Sequence, residues 1–329
     1  MPEPTGVRRR RSDLVARVLL LVVLALLVVT GALRWVDTTA YPVVVLQTAA
    51  PFVAIGLLLL AVVTALLRQW WVLVPVVVAL AVAGTLVAPT FARTNDPEAV
   101  RDFTVMAANL RVGMARPEQL MDAVRFRAVD VIVLTEVTPL ALTSLDAQGA
   151  DTYFPHRSGT PEEGGYAGTM VLSRYPLRVV SADLGGSPNR QPEVVVTTLG
   201  GVSLHVQTAH PAAPLAGQTG QWRDGLRALE QWRARQGGAD PVVIAGDFNA
   251  GWGHPAFRAV ADGMQDAQRA TGSGWVRTWP YAGNRLPAYV ELDHVLSRGL
   301  TVIDSGQVAL NGTDHAAVWG SYAVPDTAR

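Results

Sequence analysis

Hydrophobic and polar positions divide this chain into two unlike halves. Before residue 92 the apolar residues come in three nearly unbroken runs, at about 14–33, 43–67 and 70–87. Each approaches or meets the roughly 20 residues that cross about 30 Å of hydrocarbon. Trp70 and Trp71 open the third run, where amphipathic rings suit the headgroup level. Arg8 to Arg11 precede the first run, so the excess of positive charge predicts a cytoplasmic N-terminus. The second run then returns, Arg68 falls in a short cytoplasmic loop, and the third run exits. A cleaved signal peptide is the competing reading of the first run, and Arg10-Arg11 admits a twin-arginine reading; in the first case the two remaining spans still leave the rest outside. The expected organisation is a three-span membrane anchor over 1–91, a polar linker over 92–102 and a domain over 103–324. Ten extended linker residues reach about 35 Å, which keeps that domain near the bilayer.

From residue 103 the periodicity changes to that of an α/β domain. Phe103–Leu110 reads as a strand, and Pro117–Val129 as a helix with proline in its first turn. Asp130–Thr135 holds the buried-type run Val131-Ile132-Val133-Leu134. Strands follow at 168–173, 177–184, 193–199 and 202–209, then a helix at 217–236 and a strand at 241–246. The chain ends with strands near 289–297, 301–310 and 315–323. Gly159–Gly168 reads as a loop rich in Gly and Glu.

Composition changes this picture in two places. There is no Cys in 329 residues, which excludes disulfides and thiolate metal sites. Every basic residue is Arg, a pattern of high-GC coding with no functional weight. Residues 1–93 carry eight Arg against three acids, leaving 19 Arg and 24 acids, a charge of −5, in the remainder. That sign disfavours sequence-independent nucleic-acid binding, and no stable nucleic-acid partner is expected.

The candidate chemistry lies where the strands run out. Asn109 follows Val105-Met106-Ala107-Ala108, Glu136 follows Val133-Leu134-Thr135, and His210 follows Val206-Gln207-Thr208-Ala209. Asp247 and Asn249 follow Val242-Val243-Ile244-Ala245-Gly246. Asp293 ends the run Tyr289-Val290-Glu291-Leu292, and Asp314-His315 opens the last strand. Sheet edges of this kind collect functional sites. Singly, Asn109 is a strand-end turn residue, Glu136 a helix first-turn acid and His210 a surface histidine. Jointly they supply hard oxygen ligands, a base and donors for a phosphoryl group.

These residues carry a family resemblance. Ala-Asn-Leu at 108–110, Thr-Glu-Val at 135–137, Ser-Arg-Tyr-Pro at 173–176, Ala-His-Pro at 209–211, Gly-Asp-Phe-Asn at 246–249, Thr-Trp-Pro at 278–280, Leu-Asp-His at 292–294 and Thr-Asp-His at 313–315 occur in family order. Over about 101–323 the chain resembles the endonuclease/exonuclease/phosphatase superfamily. The resemblance implies a four-layer α/β sandwich, two β-sheets flanked by helices, here preceded by three transmembrane helices. It implies Glu136 as main metal ligand with Asn109 and Asp314 in the metal and phosphate shell. Asp247 would orient or deprotonate the attacking water and Asn249 would hold a phosphoryl oxygen. His315, oriented by Asp293, would stabilise the transition state, and His210 would donate to the phosphate or leaving group. The implied ion is Mg²⁺, or Mn²⁺ in its place. His294 reads as a structural or supporting residue; Arg174 reads as loop-stabilising with phosphate binding as the alternative, and Arg111 carries the same two readings.

The superfamily does not fix a substrate, so placement must. An extracytoplasmic domain tethered to a multi-pass anchor predicts a membrane lipid substrate, with the bilayer as partner and local concentration raised by tethering. The architecture also resembles actinomycete three-span membrane proteins of the teicoplanin-resistance type. That implies undecaprenyl pyrophosphate or a related cell-wall lipid intermediate, and a role in glycopeptide-antibiotic resistance. A membrane-tethered extracellular nuclease is the alternative. A catalytically dead binding module is a third reading, disfavoured because no expected ligand is missing.

Overall fold

A computed structural model describes residues 5–161, 168–238, 240–281 and 287–325, with side chains from residue 13 onward. Residues 162–167 of the Gly- and Glu-rich loop and the side chains of Arg8–Arg11 lie outside the described residues. The chain forms two compact units, Met1–Pro89 and Thr90–Arg329.

The first unit holds helices α1 (Thr5–Ala32), α2 (Tyr41–Gln47), α3 (Ala50–Leu66) and α4 (Trp70–Val87). Asp13–Trp35 and Trp70–Thr90 are long and apolar enough to cross a membrane. The second apolar run differs from the other two, and counts as a third candidate span only if its bent pair is taken as one. It breaks between α2 and α3 with a 64° bend. Pro51 lies in the first turn of α3, where its missing N–H cannot continue the ladder of α2. The 17 residues of α3 rise only about 25 Å. Two polar contacts fix the direction of the hairpins. Arg17 Nε donates to Gln69 Oε1 at 2.7 Å, so the turn between α3 and α4 lies beside the start of the apolar stretch of α1. Gln47 Nε2 donates to Leu33 O at 2.9 Å and Val36 O at 2.7 Å, so the end of α2 lies beside the end of α1. The helices therefore run up, down and up around Leu20, Leu24, Val53, Leu57, Leu60, Val72 and Val76.

In the second unit the strands and helices alternate as β1 (Phe103–Asn109), α5 (Pro117–Phe126), β2 (Val131–Thr135), α6 (Pro139–Ala147), α7 (Ala150–Tyr153), β3 (His156–Arg157), β4 (Thr169–Ser173), β5 (Leu177–Ser181), β6 (Glu193–Thr197) and β7 (Ser203–Ala209). They continue as α8 (Thr219–Arg235), β8 (Val242–Asp247), α9 (Pro255–Ala261), β9 (Gln265–Asp266), α10 (Ala267–Ala270), β10 (Asp293–Arg298), β11 (Thr301–Ala309) and β12 (Ala316–Ala323). Two six-stranded mixed sheets result, in the orders β11-β12-β1-β2-β4-β3 and β5-β6-β7-β8-β10-β9.

Strand alternation explains how the layers are filled. Val105 and Ala107 of β1, Val131 and Val133 of β2, Val206 of β7, and Val243 and Ala245 of β8 share one buried cluster. The residues between them, Met106, Ala108, Ile132 and Leu134, join Leu120, Met121 and Val124 of α5 and Leu142 and Leu145 of α6 in another. The result is an α/β sandwich whose β1, β2, β7 and β8 run with parallel pairings at its centre.

Two expectations change. The strand read at 289–297 starts only at Asp293, because Val290 is bridged to Trp279 instead. The polar segment read as a linker over 92–102 is stitched into the second unit. Thr94 and Asn95 amides donate to Ala270 O, Asp96 N to Val302 O, and Asp102 N to Tyr322 O. Asn95 Nδ2 adds a bond to Ile303 O at 2.7 Å. These bonds satisfy the amides of a segment that belongs to no helix or strand.

Candidate active site

Parallel pairing brings the C-terminal ends of β1 and β2 together, with Asn109 opposite Thr135, and those of β7 and β8, with Ala209 opposite Gly246. Gly246 has φ +143°, and a Cβ there would stand 2.1 Å from Ala209 O. Only glycine permits that approach, which sets Asp247 at the strand exit.

Asn109 joins the two sheets. Its Nδ2 donates to Glu136 Oε1 at 3.1 Å and to Asp247 Oδ2 at 3.0 Å. Its Oδ1 accepts from Arg111 N at 2.8 Å, and its carbonyl accepts from Thr313 Oγ1 at 2.9 Å. Glu136 is held at φ +53°, an unfavourable backbone for a residue with a side chain. Val112 N donates to its second oxygen at 2.9 Å. Asp247 Oδ1 accepts from Asn249 N at 2.8 Å, a turn closed by its own side chain. Asn249, at φ +47°, sends Nδ2 to Pro211 O at 3.1 Å, and its carbonyl accepts from Trp222 Nε1 at 3.0 Å.

On the facing strand Asp293 pairs in register with Asp247. Asp293 Oδ2 is 2.8 Å from His315 Nδ1, and His315 Nε2 is 3.7 Å from Asp247 Oδ2. Asp293 Oδ1 is buried and has no hydrogen-bond partner. Thr278 Oγ1 accepts from the amides of Leu292 and Asp293 and fixes that turn. His210 is buried, with Nδ1 3.4 Å from Thr169 Oγ1 and its amide donating to Gln191 Oε1 at 2.8 Å.

Burial and neighbouring charge set the protonation states. Desolvation raises Asp247 above the usual carboxylate range, and Asp293 adds to the rise while His315 opposes it. Glu136 is raised for the same first reason, with Asp247 adding to it against the Asn109 hydrogen bond. Burial pushes His210 down to about 4, so it is neutral at pH 7. Burial would also depress His315, but the charges of Asp293 and Asp247 and the Asp293 hydrogen bond outweigh it and push it up to about 10. One imidazole is therefore kept neutral and the other kept charged.

The structure thus gathers Asn109, Glu136, Asp247, Asp293 and His315 through direct contacts, with His210 and Asn249 tied to the same corner by His210–Pro211. Asp314 is engaged differently. Its Oδ2 accepts from Trp279 Nε1 at 3.3 Å, and its Oδ1 lies 3.6 Å from Arg111 Nε. Among the described residues, the acid and histidine groups with ligand atoms within 4.8 Å of one another are Asp247, Asp293 and His315, and Asp266, Glu291 and His294. Neither group contains Asp314 or Glu136. Arg174 sits at the other end of the sheet: Ser173 pairs with Val131, the first residue of β2, and Arg174 Nη1 binds Asp130 at 2.8 Å. Arg101 completes that pair at 2.6 Å. Thr169, Gln191 and Thr278 carry no signal of their own in the sequence. They act through a neighbour's backbone or ring, and only the Thr-Trp-Pro motif gave any sign of them.

The donor set fits a hard divalent cation. Glu136 and Asp247 place two carboxylates on one amide group, both raised by burial and one by the other's charge. A cation relieves that repulsion, and oxygens are what Mg²⁺ prefers.

The sequence profile of the Endonuclease/Exonuclease/phosphatase family matches residues 106–315. Uncharacterized protein YbhP of Escherichia coli is 29% identical over 177 residues, which cover 45% of this chain and 66% of that protein. The match thus spans just under two thirds of that relative's length. Humanized D. rerio TDP2 superposes with a TM-score of 0.53 at 16% identity, over 68% of this chain and 99% of that one. Beta toxin from Staphylococcus aureus superposes with a TM-score of 0.51 at 14% identity, over 67% of this chain and 99% of that one. One beta toxin crystal structure holds bound magnesium ions. At these identities the structural likeness concerns the fold.

Proposed function

Because the chain belongs to the endonuclease/exonuclease/phosphatase family, we propose that it is a membrane-anchored, divalent-metal-dependent phosphoesterase acting on a lipid-linked phosphate or pyrophosphate outside the cytoplasm. The observation that carries the chemical part is the single buried corner in which Asn109 bridges Glu136 and Asp247 while Asp293 holds His315. Apolar helices preceding the domain support the lipid part. Undecaprenyl pyrophosphate, and with it a place in glycopeptide resistance, is the finer form of the reading.

Glu136 would hold the cation, with Asp314 in the phosphate shell; Asn109, whose oxygen accepts from Arg111 N, would join that shell through the amide it sets on Glu136 and Asp247. Mg²⁺ there, or Mn²⁺, supplies positive charge to a phosphoryl oxygen. Asp247 orients a water for in-line attack, and its raised pKa makes it a better base than an exposed carboxylate. His315, charged at neutral pH, faces the negative charge that develops on the phosphoryl oxygens. Asp293 fixes the ring through Nδ1 and leaves Nε2–H to donate. Neutral His210 has one N–H for the phosphate or leaving oxygen. Asn249 uses one amide hydrogen on Pro211 O and keeps a second for substrate.

Purified full-length protein in detergent is incubated with Mg²⁺ and, separately, undecaprenyl pyrophosphate, sphingomyelin, phosphoinositides and plasmid DNA. Phosphate release from the polyprenyl lipid, abolished by EDTA and by His315→Ala, is the expected result. Plasmid nicking without lipid turnover would replace this reading with the tethered nuclease.

A further inference from the structure

Behind the site, on the other face of β10, lies a second buried acid–histidine pair that the proposed chemistry does not use. Asp293 and His294 are consecutive, so they point to opposite faces of the sheet. Asp293 faces His315. His294, fully buried, faces Asp266 at 2.8 Å through Nδ1 and the Ala250 carbonyl at 3.2 Å through Nε2.

A backbone carbonyl can only accept, so Nε2 carries a proton. Asp266 receives three further donors: Gln268 N at 2.9 Å, Arg269 N at 3.4 Å and Trp252 Nε1 at 3.2 Å. A carboxyl met by so many donors is ionised, so Nδ1 also carries a proton. His294 then bridges as an imidazolium, with Phe257 at 4.2 Å and Phe248 at 5.5 Å against its ring. Burial alone would depress it, but Glu291 and Asp266 raise it.

The carbonyl it holds lies one residue beyond Asn249. That loop lies tightly against the residues that lead into β10: Phe248 N donates to Leu292 O at 2.8 Å, and a Cβ on Gly251 would stand 2.4 Å from Glu291 O. We infer that His294, anchored by Asp266, is a positioning residue that fixes the 247–251 turn and so aims Asp247 and Asn249. The inference rests on the phosphoesterase reading for its kinetic arm only.

Full-length protein in detergent is compared with His294→Gln and with the milder Asp266→Asn by amide hydrogen exchange and by turnover. In both variants, exchange over 247–252 accelerates about fivefold or more, while peptides over β1 and β2 keep their protection. On whichever substrate the wild type turns over, kcat falls about tenfold while KM changes less than about twofold. Unchanged exchange over 247–252 in both variants overturns the inference, as does a uniform loss of protection that marks a general stability effect. A kcat that stays at the wild-type value despite faster exchange overturns it too. A wild type that turns over nothing defeats the phosphoesterase reading instead, and the exchange arm still decides this one.

Discussion

At the scale of single residues, the site is a problem of placing charge in a dry corner. His315 owes its charge to two carboxylates, of which Asp293 is the nearer at 2.8 Å. With its pKa near 10, the ring stays charged through the neutral range and loses its proton as pH rises through about 10. Asp293→Asn removes the larger support. The alkaline limb of kcat/KM should therefore move toward neutrality, with activity at pH 7 falling about 100-fold. A limb that stays in place would show that His315 is not the titrating group. His210 gives the opposite sign. Its folded-state value near 4 lies below the ordinary 6.5, so the stability it contributes is present above pH 6.5 and is lost as pH falls toward 4. Melting temperature should drop across that window in the wild type and drop less in His210→Asn. Glu136 separates stability from function. Its ionised form is opposed by burial and by Asp247, so Glu136→Gln should melt no lower than the wild type in EDTA. The same variant should lose the rise in melting temperature that Mg²⁺ gives the wild type by mass action.

Elements hold these residues in place, and here the legibility of the sequence divides. Central strands were readable because alternation or a continuous apolar run marks them: β1, β2, β7 and β8 fall within a residue or two of their expected spans. The helix α8 was readable because Trp222, Leu226, Leu229 and Trp232 repeat at helical spacing. Helix α6 was missed although Thr138 accepts from Ala141 N and Pro139 fills the first turn, because its nine residues give too few periods to stand out. The strand expected from 289 begins at 293 because the Tyr289–Val290 segment pairs with Trp279, a non-local choice that no local pattern records. The chemistry-bearing residues were legible as strand ends. Their supports were not, since Thr278 and Gln191 serve through contacts across 15 and 19 positions. One glycine tests the scaffold directly. Gly246→Ala puts a methyl group 2.1 Å from Ala209 O before relaxation, in a backbone region closed to alanine. It should cost about 3 kcal/mol or more in denaturant unfolding, well above an ordinary surface change.

At the scale of the whole chain, the proposed substrate depends on the side of the membrane on which the second unit works. Sidedness follows from the number of crossings, and the bent pair α2–α3 decides that number. If the pair crosses, the start of α1 and the end of α4 face opposite sides; if it turns back within one leaflet, they face the same side. The polar contacts within the first unit favour crossing. Arg17 meets Gln69 at one end of the hairpin, and Gln47 meets Leu33 and Val36 at the other, so α3 runs the length between them. On the proposed reading, arginines retained in the cytoplasm before the first span would put the residues after α4 outside. The absence of Cys makes the test simple, because one introduced thiol is the only one present. Leu199, 87% exposed beyond the end of β6, and Leu67, 52% exposed beside Arg68, are suitable positions. In intact, right-side-out membranes, Leu199→Cys should react with a membrane-impermeant maleimide, while Leu67→Cys reacts only after permeabilisation. The reverse pattern would put the second unit in the cytoplasm and remove the outer-leaflet lipid substrate, while leaving the metal-dependent chemistry of the corner intact.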